Sequence, residues 1–127
     1  MKSFARSALT GLSVISMLGA ISVAFAYKGG PKPAPVPFAK VDKIIQTRCI
    51  GCHRGEKAAA GVDLSSYSSI LKAKFKGKAV VVAKKPKDSV FVAAITGHGV
   101  AKMPPGPPLS AAEVKLVQDW IASGAKK

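Results

Sequence analysis

From Phe38 onward the apolar positions fall into short runs at helical intervals, separated by polar and proline-rich stretches. Phe38, Val41, Ile44 and Ile45 recur at three- and four-residue steps, and Cys49 and Cys52 continue the same face, which predicts a first helix ending at the cysteines. "DLSSYSSILKAK" carries serine and aspartate start signals followed by Tyr67, Ile70 and Leu71, the pattern of a short second helix. Val80 to Val82 suit either a short strand or a buried extended segment. In "DSVFVAAIT" a third helix is expected, with Asp88 or Ser89 as cap, Val90, Phe91, Ala94 and Ile95 inward, and Gly97 as the stop. Ser110-Ala-Ala-Glu113 has the form of a capping box, and Val114, Val117, Trp120 and Ile121 form one stripe that Gly124 ends. No internal repeat is visible. The pattern amounts to three or four helices, little sheet and long connections.

Upstream the pattern changes twice. Residues 1–26 place Lys2 and Arg6 before an apolar run that closes on Ala24-Phe25-Ala26, the order of a secretory signal cleaved before Tyr27. Residues 27–37, "YKGGPKPAPVP", hold four prolines and two glycines without an apolar period and read as a flexible leader. The domain proper is then 38–127. Its length sits near the lower limit for a self-sufficient core, so a large buried cofactor would add stability the chain cannot easily supply itself. Export, periplasmic or otherwise, places the cysteines in an oxidising compartment.

Cleavage removes two of the twenty basic residues and none of the six acidic ones, which leaves eighteen against six, a charge of +12. Such a surplus attracts an anionic partner or serves solubility. Nucleic acid is a poor candidate, because an exported chain is misplaced for it, only three of the basic residues are arginines and no recognition motif is present. The densest basic stretch is Lys72, Lys74, Lys76 and Lys78, followed by Lys84, Lys85 and Lys87. It reads as a solvated loop or as a docking face.

The chemistry concentrates in "CIGCH", residues 49–53, which holds both cysteines and one of the two histidines. Two thiols three apart with an imidazole directly after the second match the attachment sequence of c-type haem: on one helical turn each sulfur can add to a vinyl group, and His53 can reach the iron. A disulfide would need Cys49 and Cys52 but not His53. Zinc would need four ligands from a chain that offers two cysteines, two histidines and few acids.

With these residues the chain resembles the class I mono-haem cytochrome c domains, in particular those of planctomycete type. The resemblance runs over about 38–125 and is carried by "CIGCH" (49–53), "GVDLSSY" (61–67), Pro86 with Asp88-Ser89, "MPPGPPLS" (103–110) and the closing Glu113, Leu116, Trp120, Ile121 and Gly124, with Leu116 one place out of register. It implies an all-α class I cytochrome c fold, three to four helices wrapped around one covalently attached haem c. Cofactor-binding residues would be Cys49, Cys52, His53 and Met103, and the iron ligands His53 and Met103. Met103 is the one methionine beyond the signal segment, and the prolines after it stiffen the loop that would hold its thioether. His98, between Gly97 and Gly99, reads as a surface or propionate-side residue. The second ring nitrogen of His53 should donate to a backbone carbonyl. Class I relatives resemble one another in taking it from a proline, but this chain has no proline between Phe38 and Pro86, so some carbonyl in the 54–64 loop is expected.

A haem iron ligated by histidine and methionine has no site for substrate, and no serine-histidine-acid set or carboxylate pair suggests another reaction centre. The expectation is therefore an exported carrier of single electrons, not an enzyme. It would be a monomer or a small subunit, and its partner an acidic reductase, oxidase or dehydrogenase. Two alternatives stand beside it: a haem-based sensor or peroxidase-like enzyme with an open sixth position, and an electron-transfer subunit of a larger oxidoreductase.

Overall fold

A computed structural model describes residues 34–127. The expected signal, residues 1–26, and most of the expected 27–37 leader lie outside the described residues. The described part is mostly helical, as expected: α1 (Phe38–Arg48), α2 (Tyr67–Lys72), α3 (Val90–Thr96) and α4 (Ala111–Ala122), with three single 3₁₀ turns and one minimal hairpin. No helix among the described residues is long and apolar enough to cross a membrane.

α1 forms because eleven residues free of glycine and proline follow extended Pro37 and place Phe38, Val41, Ile44 and Ile45 on one buried face. That face meets α4, whose start is fixed by the expected capping box. Ser110 Oγ accepts from the Glu113 N–H at 3.2 Å, and Glu113 Oε2 accepts from the Ser110 N–H at 2.8 Å. Val117, Trp120 and Ile121 of α4 are fully buried, Val114 only partly. The Phe38 ring packs against Trp120 at 5.5 Å between centroids and against Tyr67 at 5.0 Å, edge to face.

Beyond α4, Gly124 (φ 113°) and Ala125 (φ 51°) turn the chain back on itself. The returned tail accepts two hydrogen bonds, Trp120 Nε1–H to the Lys126 carbonyl at 2.7 Å and Tyr67 O–H to the Ala125 carbonyl at 2.9 Å. The polar tips of two core aromatics are thereby satisfied, and among the described residues no buried side-chain nitrogen or oxygen lacks a partner.

The structure sharpens three local readings. Leu71 points outward, 39% exposed, while its neighbour Ile70 is fully buried: in a helix of six residues only one position of that pair faces the core. Val80 to Val82 are not a strand. The strands are Lys74–Phe75 and Lys78–Ala79, joined by Lys76 and Gly77, both at positive φ as a tight two-residue hairpin requires. Val80 and Val81 continue as a buried extended segment that bonds instead to Ala73 and Phe91. Ser89 is the N-cap residue of α3, one of the two expected, but its side chain makes no capping bond; its buried hydroxyl accepts from the Val82 N–H and donates to the Lys85 carbonyl, both at 2.9 Å. A buried backbone N–H in the valine segment needed that acceptor more than the helix end did.

The core places its largest side chain, Trp120, between α1, α2 and the returning tail. Trp120→Ala should cost about 3–5 kcal/mol, whereas Lys126→Ala, which keeps its backbone carbonyl, should be close to neutral. Denaturant titration of both variants should show the difference directly, and equal midpoints would contradict this packing.

Candidate functional site

The turn after α1 is built on the helix's last free carbonyls. Cys49 N–H bonds to Ile45, and the N–H groups of Cys52 and His53 both bond to the Cys49 carbonyl at 3.2 and 3.0 Å. Cys49, Cys52 and His53 are thus wrapped on a single tight turn, and all three line one cavity of about 370 Å³. Neither cysteine is in a disulfide. Burial pushes the Cys49 thiol up to about 11, against a smaller lowering by the adjacent Arg48 charge.

Other segments supply the remaining walls. α3 contributes Val90, Phe91, Ala94 and Ile95, the 3₁₀ loop contributes Val62 and Leu64, and the hairpin region contributes Phe75 and Val80. Met103 to Gly106 close the cavity from a fourth segment. The C-terminal end of α3 positions that segment: the Ala94 carbonyl, which accepts the Gly97 N–H at 3.2 Å where the helix stops (φ 74°), also accepts the Met103 N–H at 2.9 Å. The four residues singled out by sequence, Cys49, Cys52, His53 and Met103, therefore meet at one apolar cavity. His98 does not join them. It is exposed and bonds through Nδ1 to Thr96 Oγ1 at 2.8 Å.

His53 Nδ1 lies 2.9 Å from the Val62 carbonyl. A carbonyl can only accept, so Nδ1 carries a proton, and in the neutral ring the lone pair is on Nε2. This is the acceptor expected within the 54–64 loop. The Leu64 N–H returns to the His53 carbonyl at 2.9 Å, so histidine and loop are joined from both sides.

Residues 49–107 match the family model described as planctomycete cytochrome C, a stretch that begins at the first cysteine and ends just after the Met103 loop. The segment is similar to a cytochrome c domain. No curated protein and no solved structure matches the chain.

The cavity fits the haem c that the matched family implies. It lies within the size range of small-molecule sites, its walls are largely apolar, and the donors at it are an imidazole and a thioether, borderline and soft ligands suited to iron. Among the described residues no cluster of three or more His, Cys, Asp or Glu could hold a free metal ion.

Two further residues that shape the site were not singled out by sequence. One is Arg48, whose contacts are taken up below. The other is Asp63, whose Oδ1 accepts from the Gly55 N–H at 2.8 Å and the Ser65 N–H at 3.0 Å and so draws together the two arms of the loop that carries Val62. Aspartate two residues before serine is an ordinary turn signal, and it was the available clue. These bonds, Gly55 foremost, lower the Asp63 carboxyl to about 2 from its ordinary 3.8.

Because the folded value lies below the unfolded one, Asp63 contributes stability at pH above about 4 that is lost as pH falls through about 2. Asp63→Asn should accordingly be less stable than the parent at pH 7, with the gap closing towards pH 2. Denaturant midpoints across that range measure it, and a gap independent of pH would exclude the ionised clamp.

Proposed function

We propose that the chain is an exported electron carrier with one haem c, attached through Cys49 and Cys52 and ligated by His53 and Met103. The observation that carries this reading is the convergence of these four side chains on one apolar cavity, with the proton of His53 committed to Val62 and its Nε2 free. Bound there, haem c supplies a one-electron change between Fe(II) and Fe(III), and a thioether ligand favours the reduced state. The protein's own residues do the rest. The Val62 carbonyl fixes the imidazole tautomer and strengthens its basicity. The apolar walls exclude water, and the backbone of α3 holds Met103 at the cavity. With His53 and Met103 both holding the iron, the site would leave no ligand position for a substrate, which supports a carrier rather than an enzyme. The segment 1–26 is the export signal in this reading and 27–37 a leader to the domain.

The basic stretch bears on the partner. Lys74, Lys76 and Lys78 stand exposed on the hairpin, and the Lys76 ammonium lies 5.4 Å from the centre of the Phe75 ring, which itself lines the cavity. The ion pair formed among the described residues, Lys115 with Asp119, is elsewhere. An uncompensated positive field beside the cavity supports docking of an acidic redox protein.

Two experiments test the proposal. After expression with a haem-attachment system, colour should stay with the polypeptide through denaturation and acid-organic extraction. Met103→Ala should then remove the weak long-wavelength sulfur-to-iron absorption, lower the potential and open the iron to carbon monoxide. Haem that washes away, or a parent protein that already binds carbon monoxide readily, would sink the carrier reading; the second result would favour the sensor or peroxidase class.

Electron transfer to an acidic partner should slow as salt shortens the screening length, about 10 Å at 0.1 M and about 3 Å at 1 M. Lys74→Glu with Lys76→Glu should slow it further and leave the haem spectrum unchanged. Stopped-flow rates indifferent to both would reduce the lysines to a solubility feature.

A further inference from the structure

The segment that carries Met103 is poorly equipped to hold itself in place. Pro104, Pro105, Pro107 and Pro108 have no N–H, and between Met103, tied to α3 by its own N–H, and Ser110, fixed by the capping box, the segment makes no backbone hydrogen bond among the described residues. Its carbonyls are nevertheless anchored. Arg48 Nη2 donates to the Pro107 carbonyl at 2.7 Å and to the Pro108 carbonyl at 3.2 Å, across 59 and 60 residues of sequence. Arg48 is the last residue of α1, directly precedes Cys49 and lines the same cavity. Its charge also suits the negative end of the helix dipole, so the side chain is favoured where it stands.

We infer that Arg48 is a positioning residue for Met103: it straps the proline segment to the end of the helix that carries Cys49, Cys52 and His53. The two sides of the cavity are thereby held at a fixed separation. One side is set by α1 and its turn, the other by a segment that has a hydrogen-bonded anchor at Met103 itself but none of its own in the four residues that follow. Leu109, buried next to the strap, anchors the chain beyond it without orienting the carbonyls. Loss of the strap would free the prolines to swing out from the cavity and take the thioether with them, while the α1–α4 core stayed packed.

The inference rests on Met103 as iron ligand, and the experiment separates the two. Holoprotein carrying Arg48→Met, which keeps most of the aliphatic stem and removes the donors, is compared with Arg48→Lys, Met103→Ala and the parent. Three quantities are read: the temperature at which the sulfur-to-iron absorption of the oxidised protein disappears, the affinity for added imidazole, and the far-ultraviolet circular dichroism melt. For Arg48→Met the absorption should vanish well below the melt, and imidazole should bind about tenfold more tightly, equivalent to about 1.4 kcal/mol. Arg48→Lys, which keeps a cationic donor in a different geometry, should fall between that variant and the parent. Absorption that persists up to the melt with parental imidazole affinity, in either variant, would overturn the inference and leave Arg48 as a structural tie between α1 and α4. If Arg48→Met does not fold, Arg48→Lys alone decides by the same two readings. A parent without the absorption, together with a Met103→Ala protein that binds imidazole like the parent, would instead overturn the ligand assignment and the strap with it.

Discussion

The packing of α1 on α4 sets the rotation of α1, and the cavity depends on that rotation. A helix turns about 100° per residue, so once Val41 and Ile45 are fully buried against the α4 face the direction of every later residue is decided. Cys49 follows Ile45 by one helical turn and bonds to its carbonyl, which places the first thiol without any contact of its own having to specify it. Slippage by one residue would carry Cys49 and the turn behind it away from the cavity. The large side chains that resist such slippage, Phe38 and Trp120, lie at the far end from the cysteines, so the core specifies the site from a distance.

On the other side of the cysteines, position is held by backbone polar groups. The Val62 carbonyl, the Leu64 N–H and the His53 carbonyl are groups every residue possesses; what is particular is the conformation that brings them together. Asp63 enforces that conformation from outside the cavity by gathering two N–H groups onto one oxygen. The methionine segment has the opposite economy. Prolines restrict its own conformations, which lowers the entropy lost on closing it, but they also remove the donors that would fasten it, so the fastening comes from α3 and from Arg48.

This division explains what the sequence made legible. α1, with its apolar stripe, and α4, with a stripe and a capping box, were readable because side-chain periodicity and capping chemistry are local. The turn that holds Cys49, Cys52 and His53 stood out because cysteine, cysteine and histidine at that spacing have few other uses. Val80 to Val82 were ambiguous because a run of valines reports burial without reporting hydrogen-bond partners, and those partners, Ala73 and Phe91, come from either side in the fold. Ser89 carried the signal of a helix cap and spent its hydroxyl on Val82 instead. The Arg48 bonds were invisible for a related reason: a surface arginine has many possible acceptors, and nothing in the sequence singles out two proline carbonyls some sixty positions away. Pairings over long sequence separation were the part that pattern could not supply.

The distribution of acids completes the electrostatic picture. Six acidic residues face twenty basic ones, and four of the six have local tasks. Asp63 gathers the loop, Glu113 closes the capping box, Asp119 pairs with Lys115 at 2.6 Å, and Asp42 accepts from Gln46 at 3.1 Å. Each is occupied within a few residues of its own position, and none of these contacts involves a hairpin lysine. An acid spent on a nearby N–H or on its own helix does little to cancel charge at a remote surface, since screening in physiological salt removes most interaction beyond about 8 Å. The hairpin field is therefore stronger than the net charge alone conveys, and it is concentrated next to Phe75 at the cavity wall. A positive surface distributed evenly over the domain would serve solubility equally well; one concentrated beside the cavity also biases the orientation in which an acidic protein approaches it.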